Sequence, residues 1–446
     1  MNKIKAPSVA GTFYKANPDD LLLQIDGFEQ NSKNNYEYKS RAVIVPHAGL
    51  VYSGQLAYNG LKSLRSDLKT LFIFAPAHRV GFKGLALTSY DFWNTPLGDV
   101  QINKKLNAEL ENIFGAYVYD AAMAQEHSVE IQLPLLQTLF PDITIVPVLV
   151  GNENFDKISE IINFYYPNEE NGFIISSDLS HFLNDSDALK LDNLTATMIE
   201  SKDFTGFEAQ QACGCIGILG LVGFAKEKNY SLIRIGMINS SAVTDDKTSV
   251  VGYGSWFLYE GEKNRFLKEY YSSLVIDICK NSIKSKFTSS SMSMDIPAIF
   301  DEKGASFVTL EKNNHLRGCI GSIIAHRSLL DDLAENARSS AFSDPRFAPV
   351  QREELEDLSI AVSLLSIPER MNFKGEEDLL NKITPFIDGL IIKDGNYQAV
   401  YLPSVWEQLP DKREFLMSLK IKAGLRPDHF SNNFQAYSFR SEYIKE

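Results

Sequence analysis

Cysteine, net positive charge and long apolar runs are all in short supply in this chain, and each shortage narrows the reading. Four cysteines, at 213, 215, 279 and 319, in 446 residues fall far below the density of a secreted disulfide scaffold. A reducing, cytoplasmic setting is expected. Lys plus Arg total 44 against 57 Asp plus Glu, a formal charge of −13. A general phosphate-backbone binder needs a basic face, so nucleic acid is not an expected partner. Proline or polar residues interrupt every apolar run well short of a membrane span. The opening Met1-Asn-Lys-Ile-Lys-Ala-Pro7 has no signal-peptide core. Repeats and extended low-complexity tracts are absent from the sequence.

What is present suits two globular domains: 44% of residues are hydrophobic and 23% charged, and the length exceeds one ordinary domain. Apolar patterning lapses at Glu260-Gly-Glu-Lys-Asn264, which divides the chain into 1–260 and 261–446. In the first part, Ala42–Val45, Leu71–Phe74, Thr144–Val150 and Phe173–Ser176 read as buried strands alternating with helices, an α/β pattern with a mostly parallel sheet. Helices are expected to be capped by Ser53, to open at Glu126, and to run from Phe207 to Phe224. The second part mixes helices with hairpins, turning at Lys312-Asn-Asn314 and Asp394-Gly395, which suggests α+β.

Seven histidines occur in the whole chain, and three of them close strand–turn units. These are Arg41-Ala-Val-Ile-Val-Pro-His47, Leu71-Phe-Ile-Phe-Ala-Pro-Ala-His78 and Phe173-Ile-Ile-Ser-Ser-Asp-Leu-Ser-His181. Strand ends in an open α/β sheet converge on one crevice, so these imidazoles are expected to share a polar site able to hold a metal and move protons. His127 forms His-x-x-Glu with Glu130, which on a helix shares one side; a helix-entry histidine is the plainer reading. Cys213-Gly-Cys215 is too tight for a two-sulfur zinc site or a disulfide. Either sulfur alone can serve as a thiolate ligand, or both are small buried residues. In the second part, His315-Leu-Arg-Gly-Cys-Ile-Gly321 brings Arg317 close to Cys319, and Asp344-Pro-Arg346 offers another arginine on a turn. The glycines of the first motif equally suit a strand making room for a helix.

Taken together, Val45-Pro-His-Ala-Gly49, Ala75-Pro-Ala-His78, Glu126-His-Ser-Val-Glu130, Ile145-Val-Pro-Val-Leu-Val-Gly151 and Ser176-Ser-Asp-Leu-Ser-His181 resemble the Memo family, component B of the AmmeMemoRadiSam system. Leu316-Arg-Gly-Cys-Ile-Gly-Ser322, Asp344-Pro-Arg-Phe347 and Leu358-Ser-Ile-Ala-Val-Ser363 resemble the AMMECR family, component A. The first resemblance implies a sheet like that of class III extradiol dioxygenases, followed by a smaller α+β AMMECR domain. It also implies His47, His78 and Cys213 as metal ligands, His181 as an acid/base and His127 as a further pocket histidine. Cys215 beside Cys213 departs from the family pattern and leaves the choice of sulfur open. The second resemblance assigns no catalytic roles; Arg317, Cys319 and Arg346 form a candidate pocket. A thiolate among the ligands suits iron(II) or copper better than zinc, so the expectation is a redox protein or oxidoreductase component acting on a small molecule or peptide. The system's name implies a radical SAM partner. A non-enzymatic adaptor presenting substrate to that partner is the alternative, and a zinc hydrolase with His181 as base a third.

Overall fold

The computed structural model describes residues 2–32, 37–288 and 294–446. The polar sequence over 31–38, expected as a connection, and the hydroxyl-rich sequence over 288–291, expected as a loop, lie partly outside the described residues. The chain divides into two units, Met1–Lys263 and Asn264–Glu446.

In the first unit four short apolar runs become β1 (Ala42–Val45), β2 (Thr70–Pro76), β3 (Thr144–Val150) and β4 (Asn171–Ser176). They lie parallel in the order β3-β2-β4-β1. Nearly every residue in them is buried, as expected for strands covered on both faces. Two longer strands, β5 (Ser231–Asn239) and β6 (Val250–Tyr259), form an antiparallel pair whose second member joins β1. On one face Phe72, Phe74, Val146, Val148, Phe173 and Ile175 pack with apolar residues of the helices at Phe155–Tyr165 and Cys215–Lys228. β4 sits between β1 and β2 although it follows both in sequence. The chain segments leaving three neighbouring strands therefore meet at one end of the sheet.

Three helix starts differ from those read in the sequence. The helix expected to be capped by Ser53 begins at Leu50, with Gly49 as its cap, and Ser53 is buried inside it. The chain must turn directly after His47, and the amide of Leu50 is taken by the Phe13 carbonyl at 2.8 Å. The stretch from Glu126 is a turn, followed by a 3-10 turn at Glu130–Gln132 and a helix at Leu133–Leu139. There the Glu126 carboxylate accepts the His127 and Ser128 amides, a local bond that competes with helix formation. The helix expected from Phe207 begins at Cys215, which leaves Cys213 on irregular chain crossing the sheet end.

Among its described residues the second unit holds two antiparallel sheets with helices between their strands. β7 (Lys303–Lys312) and β8 (His315–Gly321) form a hairpin, and β9 (Leu358–Leu365) lies on the other side of β7. Asn313 and Asn314 both take positive φ, 51° and 62°, the backbone a tight hairpin requires. A second hairpin joins Gly389–Asp394 to Tyr397–Tyr401 through Gly395. Ser328 caps the helix Leu329–Phe342 by accepting the Asp331 amide. That helix lies so close to β8 that a Cβ on Gly318 would stand 2.2 Å from the Ser340 carbonyl oxygen. The glycine is needed for strand–helix contact.

Candidate metal centre

Two imidazoles of the first unit arrive on segments leaving the sheet. His47 lies two residues beyond β1 and is 1% exposed, and His78 lies two residues beyond β2. His127 comes from the turn ahead of the Leu133–Leu139 helix. One ring nitrogen from each of the three lies within 4.8 Å of the others. Ring centroids are 5.1 Å apart for His47–His78 and 4.7 Å for His78–His127.

The hydrogen bonds around the cluster fix which nitrogen of His47 and His78 is free. Ser176 Oγ donates its only proton to the Ser128 carbonyl at 2.7 Å and accepts from Gln132 Nε2 at 3.2 Å. It can only accept from His47 Nδ1, 3.0 Å away, which puts the hydrogen on Nδ1 and leaves the Nε2 lone pair open. Glu126, 1% exposed, does the same for His78, with Oε1 3.0 Å from Nδ1. Its other oxygen accepts the His78 amide. Burial pushes the Glu126 carboxyl up, but the His127 and His78 imidazoles and the His78 amide outweigh it and hold it well below the carboxylate range. Burial, reinforced by His78 and His127, keeps His47 neutral. Neutral imidazoles with Nδ1 tied to outer partners are the form that ligates metals, so the residues fit a cation.

Cys213, expected as the third ligand, is not in the group of mutually close donors, which among the described residues is His47, His78 and His127; it meets His47, with Sγ 3.2 Å from Nε2. The Asp178 amide points at the sulfur, 3.3 Å away. The approach depends on Gly214, whose amide bonds Ser177 Oγ at 2.9 Å. A Cβ there would stand 2.7 Å from the Ser176 carbonyl oxygen. Burial, then the Asp178 carboxylate, push the thiol up, so a bound cation would be needed to draw out its proton at neutral pH. Cys215 begins the following helix. Asp178 also accepts the His47 amide at 2.7 Å, pinning the turn after β1 to the turn after β4.

His181 opens a short strand, His181–Leu183, paired with β6. The turn before it is stitched down by Leu179 N–H to the Gly252 carbonyl, Gly252 N–H to the Ser180 carbonyl, and Ser180 N–H to Asp192. Phe182, the next residue, is 76% exposed and has a positive φ of 60°, a costly backbone for an aromatic residue.

Glu130 is not on His127's side of a helix. It faces the N-terminal arm, where it binds Lys5, Ser8, Val9 and Tyr14. The residues that orient the cluster, Glu126, Ser176, Asp178 and Gln132, were given no role by sequence reasoning. Asp178 carried a usable signal, since it stands two residues beyond β4 just as His47 does beyond β1.

In the second unit the structure brings Arg346 to Cys319 but gives Arg317 a different partner, and the polar groups of both arginines are engaged. Arg317 makes two bonds to Glu354, at 3.1 and 3.0 Å. Asp344 accepts the Cys319 amide at 2.8 Å, while Arg346, paired to Asp344, donates to the Cys319 carbonyl at 3.2 Å. The Asp-Pro-Arg turn thus covers the outer edge of β8 as a neighbouring strand would. Cys319 Sγ accepts from Thr309 Oγ1 at 3.3 Å. Arg317's hydrogen bond, with help from the Gln351 amide, lowers the Glu354 carboxyl from 4.5 to about 2. A depressed carboxylate stabilises the fold above its ordinary value and loses that effect as pH falls through the folded one. The thermal-stability gap between the parent and Glu354→Gln should therefore be constant above about pH 5 and close towards pH 2. A gap that persists at the acid end would contradict the pairing.

Fold and site define a mixed α/β protein with a histidine cluster suited to a metal ion where parallel strands end. The chain belongs to the Memo family: the Memo-like protein model matches residues 5–257, and the AMMECR1 model follows at 276–444, so the chain is a Memo–AMMECR1 fusion. A MEMO1 family protein of Thermoplasma volcanium is 32% identical over 262 residues, covering 56% of this chain and 97% of its own length. One from Archaeoglobus fulgidus is 32% identical with the same coverage. A protein of Methanothermobacter thermautotrophicus is 40% identical over 154 residues, 34% of this chain and 80% of its own. Among solved structures, an uncharacterized protein from Pyrococcus horikoshii shares 34% identity over 39% of this chain and 91% of its own, with a TM-score of 0.37. No helix among the described residues is long and apolar enough to cross a membrane.

Proposed function

We propose that the Memo unit is a metal-dependent redox protein, an oxidoreductase component acting with a radical SAM partner. The observation that carries this reading is the meeting of the His47, His78 and His127 nitrogens within 4.8 Å, with the Cys213 sulfur against His47. His47 and His78 would hold iron(II) or copper through Nε2, with Cys213 as the sulfur ligand; such a metal supplies one-electron exchange. Zinc suits the same donors but would leave the thiolate's redox character unused. His181, whose preceding turn is tied down by hydrogen bonds, would hold or move a proton for a bound small molecule or peptide. His127 completes the three-histidine group and is the other candidate for a third donor. A sheet-end site of this kind is consistent with kinship to class III extradiol dioxygenases, while a sulfur in place of their carboxylate argues against simple ring cleavage.

Protein purified without oxygen should carry a stoichiometric redox metal with a visible or paramagnetic signature, and His47→Ala should lose most of it. Metal content unchanged in His47→Ala would sink the reading. A parent that binds no metal yet binds a radical SAM partner would favour an adaptor instead.

A further inference from the structure

His47 and His78 are each held by a hydrogen bond at Nδ1, to Ser176 and Glu126. His127 is not. Its Nδ1 lies 3.1 Å from Glu126 Oε1, near enough for charge attraction, but makes no hydrogen bond of its own. Packing therefore carries much of what fixes this ring. His78 stacks on it at 4.7 Å and 30°, His47 meets it edge-on at 5.4 Å, and Phe13 closes on it at 4.6 Å.

Phe13 is brought there by the N-terminal arm, which is itself fastened at two points. At one, the buried Glu130 carboxylate accepts Lys5 Nζ at 2.7 Å, Ser8 Oγ at 2.6 Å, Val9 N–H at 2.9 Å and the Tyr14 hydroxyl at 2.9 Å. At the other, the Phe13 carbonyl accepts the Leu50 amide at 2.8 Å, just beyond the His47 turn. Between them, the Thr12 and Phe13 amides turn back onto the Val9 carbonyl at 3.1 and 2.9 Å. The arm is a strap tied on both sides of a single aromatic ring.

We propose that Phe13, held by Glu130, is the positioning residue for His127: the strap keeps that imidazole in the cluster, and without it the ring leaves. His127 is then the mobile member of the three, held in place by an element more than a hundred residues away in sequence. The part of this proposal that concerns metal rests on the metal-centre reading above; the part that concerns the ring does not.

The two parts are tested separately in the full chain. With histidine labelled in its ring nitrogens, metal-free parent protein should show one fixed environment for His127. In Phe13→Ala its signals should broaden or shift to averaged values, while those of His47 and His78 stay in place. Phe13→Tyr should restore the parent pattern. Added Co(II) alone should bind about ten- to a hundredfold more weakly to Phe13→Ala, the range for lost supporting contacts at metal sites, and its absorption bands should change. Unmoved His127 signals in Phe13→Ala would overturn the proposal, as would equal movement of all three histidines. Should Phe13→Ala fail to fold, Glu130→Gln loosens the strap instead, and faster amide exchange at Ser8 and Val9 should accompany the same change at His127. Parent protein that takes up no Co(II) would defeat the metal reading and leave the ring measurement to decide the strap.

Discussion

Glu130→Ala should destabilise the Memo unit by about 3–5 kcal/mol, the usual consequence of removing one partner from a buried ion pair. The side chains of Lys5 and Glu130 are 4% and 1% exposed, and Lys5 lies over the buried Trp93 ring, 4.6 Å from its centroid. Without the carboxylate, a buried ammonium keeps only a distant carbonyl, that of Ala6 at 3.4 Å, and the Ser8 and Val9 amides lose their acceptor. Burial pushes the Glu130 carboxyl up, but the charge of Lys5 and the bonds from Lys5 and Ser8 prevail and hold it below its ordinary value. Its stabilisation is therefore present above that ordinary value and lost as pH falls. Urea unfolding followed by tryptophan fluorescence measures the difference. A cost under about 1 kcal/mol, the level of an exposed pair, would mean that Lys5 finds water and the arm is not anchored as described.

The second large effect is expected at Glu126. Glu126→Gln keeps the volume and removes the charge, and the new amide cannot accept from the His78 side chain, the His78 amide and the His127 amide together. The hydrogen on His78 Nδ1 then loses its acceptor, and the open lone pair at Nε2 is no longer enforced. Metal affinity should fall about ten- to a hundredfold, as when outer partners of ligating histidines are removed. Loss of affinity in a variant that still unfolds in one cooperative step separates this from general damage. A variant that binds metal as tightly as the parent would show that the carboxylate does not orient His78.

Much of the fold was legible because the central strands are continuous apolar runs bounded by proline and glycine. Their burial on both faces is the reason they read that way. Two members of the cluster, His47 and His78, were legible for the same reason, since topology delivers strand ends to one place; the third imidazole within reach is His127, and His181 is not in that group. What was not legible came from side chains that bond far along the chain. Glu130, three residues after His127, invites a helical pairing, yet no helix passes through His127, because Glu126 caps the turn locally. The true partners of Glu130 lie at positions 5 to 14, where no spacing rule points. Phe13 carried no signal of its own, being one of 28 phenylalanines. In the second unit, the glycines of the Arg317–Gly321 stretch did mark close strand–helix packing at Gly318. Nothing in the sequence reveals that Asp344 would cover the strand edge at Cys319.

X-ray absorption of the metal-loaded protein tests the central claim most directly. The account predicts a single metal surrounded by imidazole nitrogens with one sulfur neighbour, the sulfur vanishing in Cys213→Ala and persisting in Cys215→Ala. A metal environment that is identical in the parent and in Cys213→Ala, or that survives the loss of His47, would contradict it.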